Sequence, residues 1–295
     1  MMVGLPASGK STIAEELSRE ENAIVHASDR LRKELFGDEN ANDKNVELFK
    51  ELHKRIKNDL SEGKNVIYDA TNINYKRRKA FLEELKNISC KKICYLIATP
   101  YEECLEQNKL RERFVPEHVI KKMYLGFYIP QYYEGWDKIE IVYTRNSGKR
   151  ITDLLQRLKE IDQENKHHTL TIGNHCSQCL NYIEKKVDDI NLSYAALLHD
   201  IGKEFTKEYK NSKGEDTIEA HYFQHHLVSA YDSLFYLDGA QNSNFILIET
   251  VALIMWHMQP FFIETEKAKK KFIRLVGQEF YDKLMILHEA DKMAH

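Results

Sequence analysis

Short apolar runs alternate with helical repeats over the first half of the chain, and helical periodicity alone continues through the second. Ala23-Ile24-Val25-His26, Asn65-Val66-Ile67-Tyr68, Ile93-Cys94-Tyr95-Leu96-Ile97 and Ile139-Glu140-Ile141-Val142-Tyr143 are of strand length and rich in β-branched and aromatic residues. Between them apolar residues recur at helical spacing: Ile13, Ala14 and Leu17, then an amphipathic stretch over about 43–62 closed by Gly63, then Val119, Ile120 and Met123 behind Pro116. Strands separated by helices predict an α/β unit with a parallel sheet. Residues 146–166 are polar with helical spacing at Leu154, Leu155, Leu158 and Ile161, and read as a connector. Beyond it strand-like runs vanish and an all-helical unit is expected.

The sharpest pattern lies at the start. Gly4-Leu5-Pro6-Ala7-Ser8-Gly9-Lys10-Ser11-Thr12 fits the phosphate-loop pattern G-x-x-x-x-G-K-[ST] in full. In such a loop successive backbone N–H groups turn toward a triphosphate and the lysine supplies a point charge at the β- and γ-phosphates. The serine offers its hydroxyl to Mg²⁺, and the following helix places its positive end beneath the phosphates. The nucleotide set is therefore Gly4, Ser8, Gly9, Lys10, Ser11 and Thr12, with ATP and Mg²⁺ as cofactors. Only Met1-Met2-Val3 precede the loop, against about 5–6 residues in an average strand. Either that strand is short or the coding sequence begins further upstream.

Composition narrows the class. A chain of 295 residues accommodates two domains, and 42% hydrophobic with 30% charged residues is a globular balance. A net charge of −3 speaks against indiscriminate coating of nucleic acid and leaves room for a local basic channel. No apolar run is long enough to cross a bilayer and no leader pattern precedes the loop, so a cytoplasmic protein without a membrane partner is expected. Five cysteines, an odd number, read as reduced thiols, and Cys176-x-x-Cys179 lacks the second pair that a zinc site needs.

Candidate chemistry in the first half sits after the strands. Ser28-Asp29-Arg30-Leu31-Arg32 follows the first run, where Asp29 suits either a helix cap or a general base, and an arginine one turn on can grip a phosphate. Asp69-Ala70-Thr71-Asn72 ends the second run, and Lys76-Arg77-Arg78-Lys79 reads first as a solvated basic face. Asn108-Lys109-Leu110-Arg111-Glu112-Arg113-Phe114-Val115-Pro116 has the spelling of a lid whose arginines close over a transferring phosphate. Together these elements resemble the P-loop kinases of the polynucleotide 5′-kinase type over residues 1–150. The resemblance implies a three-layer α/β sandwich, Asp29 as base for a 5′-hydroxyl, Arg32 on the acceptor's 3′-phosphate, and Arg111 or Arg113 as the lid arginine.

In the second half Leu197-Leu198-His199-Asp200-Ile201-Gly202-Lys203 closes an apolar helix with a His–Asp doublet, with Gly202 as its stop. Imidazole nitrogen with carboxylate oxygen suits first-row divalent ions. With His175 upstream and Asp291 in the last helix, the ordered set resembles the HD-domain metal phosphohydrolases over 167–295. That resemblance implies His175, His199, Asp200 and Asp291 as ligands, His225 and His257 as holders of a second ion, and Lys203 as a phosphate contact. Mn²⁺, Ni²⁺, Co²⁺, Fe²⁺ and Cu²⁺ are all candidates for the pair. His225 and His257 also suit satisfied core positions, and Lys203 a helix-end surface lysine. His168 and His221, one helical turn before His225, are placed first as caps or surface residues, and Lys267 to Lys271 as a solvated face.

The two resemblances imply a bifunctional enzyme with domains at 1–150 and 167–295 joined by a helical connector at 151–166. A 5′-hydroxyl kinase joined to a phosphohydrolase of 3′- or 2′,3′-cyclic phosphate ends would heal broken RNA or DNA for a separate ligase. A small-metabolite kinase fused to a nucleotidase is the first alternative. A regulatory module that binds nucleotides without turnover is the second.

Overall fold

Ile67 and Tyr68 stand side by side on one strand and enter different cores, which explains the layering of the first half. The computed structural model describes residues 1–38, 42–145, 148–165, 169–238 and 244–294. They group into two units, Met1–Met123 with Pro130–Arg145, and Tyr124–Ile129 with Asn146–His295. The first carries β1 (Met2–Val3), α1 (Lys10–Glu20), β2 (Ala23–Ala27), α2 (Ser28–Phe36), α3 (Asn45–Ser61), β3 (Asn65–Asp69), α4 (Tyr75–Glu84), β4 (Ile93–Ala98), α5 (Tyr101–Lys109), α6 (Glu117–Leu125) and β5 (Lys138–Tyr143). The last two residues of α6 fall in the second unit.

Two parallel ladders form, β2 with β3 and β1 with β4 and β5 in the order β1-β4-β5. Gly4 N–H donates to Thr71 O at 3.1 Å and Asn72 Nδ2 to Met2 O at 2.9 Å, which lays β1 beside the end of β3. β1 is therefore short and central, and the phosphate loop leaves it where ligands bind in an open parallel sheet. Met2, Ala14, Ile67 and Ile97 form the core on the α1 side. Leu48, Leu52, Ile56, Tyr68 and Phe81 form the core beneath α3 and α4. Helices thus cover both faces, as all-parallel sheets require.

The basic run at 76–79 divides by depth. Lys76 and Lys79 are exposed, as a solvated face predicts, but Arg78 is buried at 1% exposure. Its Nε and Nη2 donate to the two oxygens of Glu134 at 2.7 and 2.6 Å, and Nη1 donates to Asn72 O at 2.8 Å. Glu134 also accepts from Gln131 N and Trp136 Nε1, so the buried charge is fully bonded. Glu134→Ala would leave Arg78 an uncompensated interior cation. We expect a loss of about 3–5 kcal/mol in chemical denaturation, and a much smaller change for Glu83→Ala on the exposed surface.

The second unit carries α7 (Ile151–Leu158), α8 (Ile172–Lys186), α9 (Ile190–Leu198), α10 (Lys203–Thr206), β6 (Glu208–Lys210), β7 (Asp216–His221), α11 (His225–Leu237), α12 (Asn244–Trp256), α13 (Glu266–Val276) and α14 (Gln278–Met293). α12 is almost wholly apolar, buried from Leu247 to Trp256 except for half-buried Glu249, and packs among α9, α11 and α14. Asp189 caps α9 by accepting from the N–H groups of Asn191 and Leu192, and Thr171 caps α8. The helical expectation missed one hairpin. β6 and β7 pair antiparallel, Asp216 to Glu219 alternates in exposure before Ala220 is buried, and Gly214 turns the chain at φ 82°. The connector's helix α7 packs on α8, and Tyr124, Phe127 and Ile129 are buried within this same unit.

Candidate functional site

The first site is a cavity of about 720 Å³ at the strand ends of the first unit. Ser8, Gly9, Lys10, Ser11 and Thr12 line it, and so do Asp29, Arg32, Arg111 and Arg113 from two further segments. Gly4 does not line it and lies buried beneath the loop. Gly9 adopts φ 90° just before α1, a left-handed conformation that side chains resist. Lys10 Nζ curls back onto Leu5 O at 2.5 Å, and burial lowers its ammonium to about 8, with Asp69 partly opposing. Thr99 Oγ1 donates to Ser8 O at 2.9 Å and pins the loop to the end of β4.

Ser11 Oγ donates to Asp69 Oδ2 at 2.7 Å. Asp69 closes β3, and the hydroxyl–carboxylate pair offers the hard oxygen donors that Mg²⁺ takes beside a nucleotide. The residues present fit that ion. Sequence reasoning had marked Asp69 only as a strand end; its partnership with Ser11, 58 residues away, is a tertiary fact.

Asp29 sits between two guanidinium groups. Oδ1 accepts from Arg32 Nη1 at 2.8 Å, and Oδ2 pairs with Arg113. Arg32 is buried and also donates to Asn45 Oδ1 at 3.0 Å, so its plane is fixed from α3. Asn108 explains the lid's first letter. Its side chain donates to Val115 O and accepts from Val115 N–H, which closes residues 109–114 into a loop carrying both arginines. Ala27 precedes α2 without a side-chain cap, so Asp29 lies within the helix and its carboxylate faces arginines.

The second site lies in the helical unit. His175 Nε2 is 3.2 Å from His199 Nε2, 3.1 Å from Asp291 Oδ1 and 3.4 Å from Asp200 Oδ2. His225 Nε2 is 3.1 Å from His257 Nε2 and 3.3 Å from Asp200 Oδ1. All six residues are buried. Asp200 thus turns one oxygen to each of two clusters, His175–His199–Asp200 and Asp200–His225–His257.

Backbone carbonyls fix the histidine tautomers. The Nδ1 atoms of His175, His199, His225 and His257 lie 2.7–2.9 Å from the oxygens of Ala294, Ala196, Tyr222 and Ile254. A carbonyl only accepts, so each Nδ1 carries the hydrogen and each Nε2 points a lone pair inward. Lone pairs facing one another at 3.1–3.2 Å need a cation between them, and this donor set fits borderline divalent metals. The charges agree. Burial would raise Asp200, but Lys203, His199 and His225 hold it well below the usual carboxylate range. Burial would raise Asp291 as well, but the imidazoles of His175 and His199 beside it keep it well below the usual carboxylate range. Burial, with repulsion from His199 and His225, keeps His257 well below its ordinary value.

Three readings of the second half change. Gly202 does not stop the helix through a left-handed turn, since its φ is −69°. It is needed for space: a Cβ there would stand 2.4 Å from His225 O and 2.7 Å from Ser229 N. His221 is not on a helix with His225, because it ends β7 and Gln224 at φ 65° intervenes; its ring stacks on Phe223. Lys203 is no surface lysine. It is buried with Nζ at 2.7 Å from both Asp200 Oδ2 and Gln163 Oε1, and buried Gln163 of the connector was not singled out from sequence. His167 and His168 lie outside the described residues. Cys176 and Cys179 are buried thiols of α8.

Residues 1–130 match a family model described as an AAA domain, and residues 167–294 match one described as an HD domain. The chain is a P-loop kinase-like domain with a parallel sheet followed by a helical HD domain. Among curated proteins, the L-seryl-tRNA(Sec) kinase of Methanococcus maripaludis is 29% identical over 178 residues. That match covers 57% of this chain and 66% of the relative, just under two thirds of its length. No helix among the described residues is long and apolar enough to cross a membrane.

Proposed function

We propose that the chain heals broken nucleic-acid ends, phosphorylating 5′-hydroxyls with ATP and removing 3′- or 2′,3′-cyclic phosphates at the histidine–aspartate centre. The observation that carries it is the pairing, in one chain, of Asp29 set between Arg32 and Arg113 with the six-residue metal cluster. In the first site Asp29 takes the proton of the attacking hydroxyl, Arg32 holds the acceptor's phosphate, and Lys10 with Arg111 and Arg113 offsets charge on the transferring group. Mg²⁺, held by Ser11 and Asp69, would neutralise the β- and γ-phosphates. In the second site His175, His199, Asp291 and Asp200 would hold one transition-metal ion, and His225, His257 and the other oxygen of Asp200 a second. Such ions supply Lewis acidity at a phosphoryl group and lower the pKa of water.

The test uses two end-labelled oligonucleotides, one with a 5′-hydroxyl and one with a 2′,3′-cyclic phosphate, in RNA and DNA forms. With ATP·Mg²⁺ and a panel of divalent metals, label should enter the first at its 5′ end and phosphate should leave the second. No reaction on either, with mononucleotides still dephosphorylated, overturns end healing in favour of a small-molecule kinase–nucleotidase. The curated relative favours a second reading, in which the acceptor is a hydroxyl carried by an aminoacyl-tRNA. Seryl-tRNA offered beside the 5′-hydroxyl oligonucleotide separates the two by which acceptor takes the label.

A further inference from the structure

The run Lys267 to Lys271 is not used by either site, and the structure orders it. Thr265 caps α13 by accepting from Ala268 N–H, so Lys267, Lys270, Lys271 and Arg274 fall at i, i+3, i+4 and i+7 on one face. All four are exposed, and no carboxylate lies within ion-pair distance of them among the described residues. Glu264 and Glu266 flank the start of the stripe, and five cations from Lys267 to Arg274 outnumber them. The opposite face is anchored: Phe272 is buried with its ring 5.4 Å from that of Trp256, the neighbour of His257.

Aromatic side chains lie between this helix and the metal cluster along the chain. The 3₁₀ turn Gln259–Phe262 follows His257 directly, and Phe261 packs edge-on against His288 at 4.5 Å, one helical turn before Asp291. Phe262, the next residue, is 71% exposed. An exposed apolar ring followed, five residues on along the chain, by an unpaired row of cations supplies the two elements that single strands use, stacking bases on aromatics while phosphates follow positive charge. An anionic bilayer fits less well, because the apolar side of α13 is committed to the protein core through Phe272.

We propose that Phe262 and the exposed face of α13 form a track for single-stranded nucleic acid that presents a 3′ end to the histidine–aspartate centre. This deepens the hydrolase reading and rests on it: the substrate of that centre is a strand, not a mononucleotide.

The full chain, loaded with Mn²⁺, is given a short oligonucleotide phosphorylated at both ends, so that no 5′-hydroxyl engages the kinase site, and separately a nucleoside 3′-phosphate. In K267A/K270A/K271A/R274A we expect KM for the strand to rise about tenfold or more with kcat kept, and turnover of the mononucleotide to stay unchanged. The slope of log affinity against log salt, read by fluorescence anisotropy, should fall by up to about 2.8 for four lost phosphate contacts. Phe262→Ala should weaken strand binding about fivefold or more. The fourfold lysine and arginine interchange (K267R/K270R/K271R/R274K) retains the strand preference if charge is the cause. Unchanged strand affinity in the alanine variant, equal losses on strand and mononucleotide, or failure of the interchange to rescue would each overturn the track. So would loss of binding to phosphatidylserine vesicles with oligonucleotide binding intact. If the wild-type chain releases phosphate from neither substrate, the hydrolase reading fails, and the anisotropy comparison alone then decides the track.

Discussion

Asp200→Asn should disable both halves of the metal centre at once, whereas His225→Ala should disable one. The asymmetry follows from Asp200 Oδ2 facing His175 and His199 while Oδ1 faces His225 and His257. After loading with Mn²⁺ and desalting, metal analysis should find two ions per wild-type chain, one in His225→Ala, and none retained in Asp200→Asn. Phosphate release should fall by at least about a hundredfold in Asp200→Asn, since loss of partners one layer further out already costs 10–100-fold. Asparagine is the informative replacement. Both replacements remove the charge that faces the buried Lys203 ammonium at 2.7 Å, but alanine would also remove the oxygen that accepts its hydrogen bond and leave a cavity, whereas the asparagine oxygen can still accept. Transfer of phosphate by the kinase-like domain serves as the internal control and should not move. Retention of two ions by Asp200→Asn would show that the carboxylate is not shared.

Much of this was legible in the chain because it depends on local spelling. The phosphate loop needs Gly9 at positive φ and Lys10 at the start of a helix, and both are encoded within a few residues. The strand runs that predicted a parallel sheet do form one, because Ile67, Tyr68, Leu96 and Ile97 are buried in packed cores. What stayed hidden is whatever depends on a partner far along the chain. Arg78 looked like one more exposed cation until Glu134 was brought to it, and Asp69 looked like a strand end until Ser11 was. Gln163 sits in a polar connector, and only the fold brings its side-chain oxygen to Lys203, 40 residues on. Gly202 carried a misleading signal: glycine after an apolar helix reads as a stop, yet here it makes room for the start of α11. The β6–β7 hairpin escaped because its alternation is polar on both sides of Ile218 and Ala220, with little apolar weight to mark it.

Asp29→Ala should lower kcat for 5′-phosphorylation by about 10²–10⁴, the span a positioned general base contributes, and leave KM for ATP in place. Lys10 and Ser11, the nucleotide contacts of the proposed function, bond to Leu5, Ser8 and Asp69 and not to Asp29. The rival account is that Asp29 merely orients Arg32 and Arg113, with which it shares both oxygens. Asparagine separates the two. Its amide oxygen still accepts from a guanidinium, so Asp29→Asn should recover much of the activity if orientation is the role. A base has no such rescue, because an amide cannot take the proton of the attacking hydroxyl. The expected result is therefore that Asp29→Asn and Asp29→Ala are equally slow. Arg32→Lys should act on a different quantity: a lysine cannot reproduce the planar fork that bonds Asp29 and Asn45 together, so KM for a 3′-phosphorylated acceptor should rise more than kcat falls. Recovery in Asp29→Asn, measured with the same oligonucleotide at saturating ATP, would move the proton-accepting role away from this carboxylate and leave it a positioning residue for the two arginines.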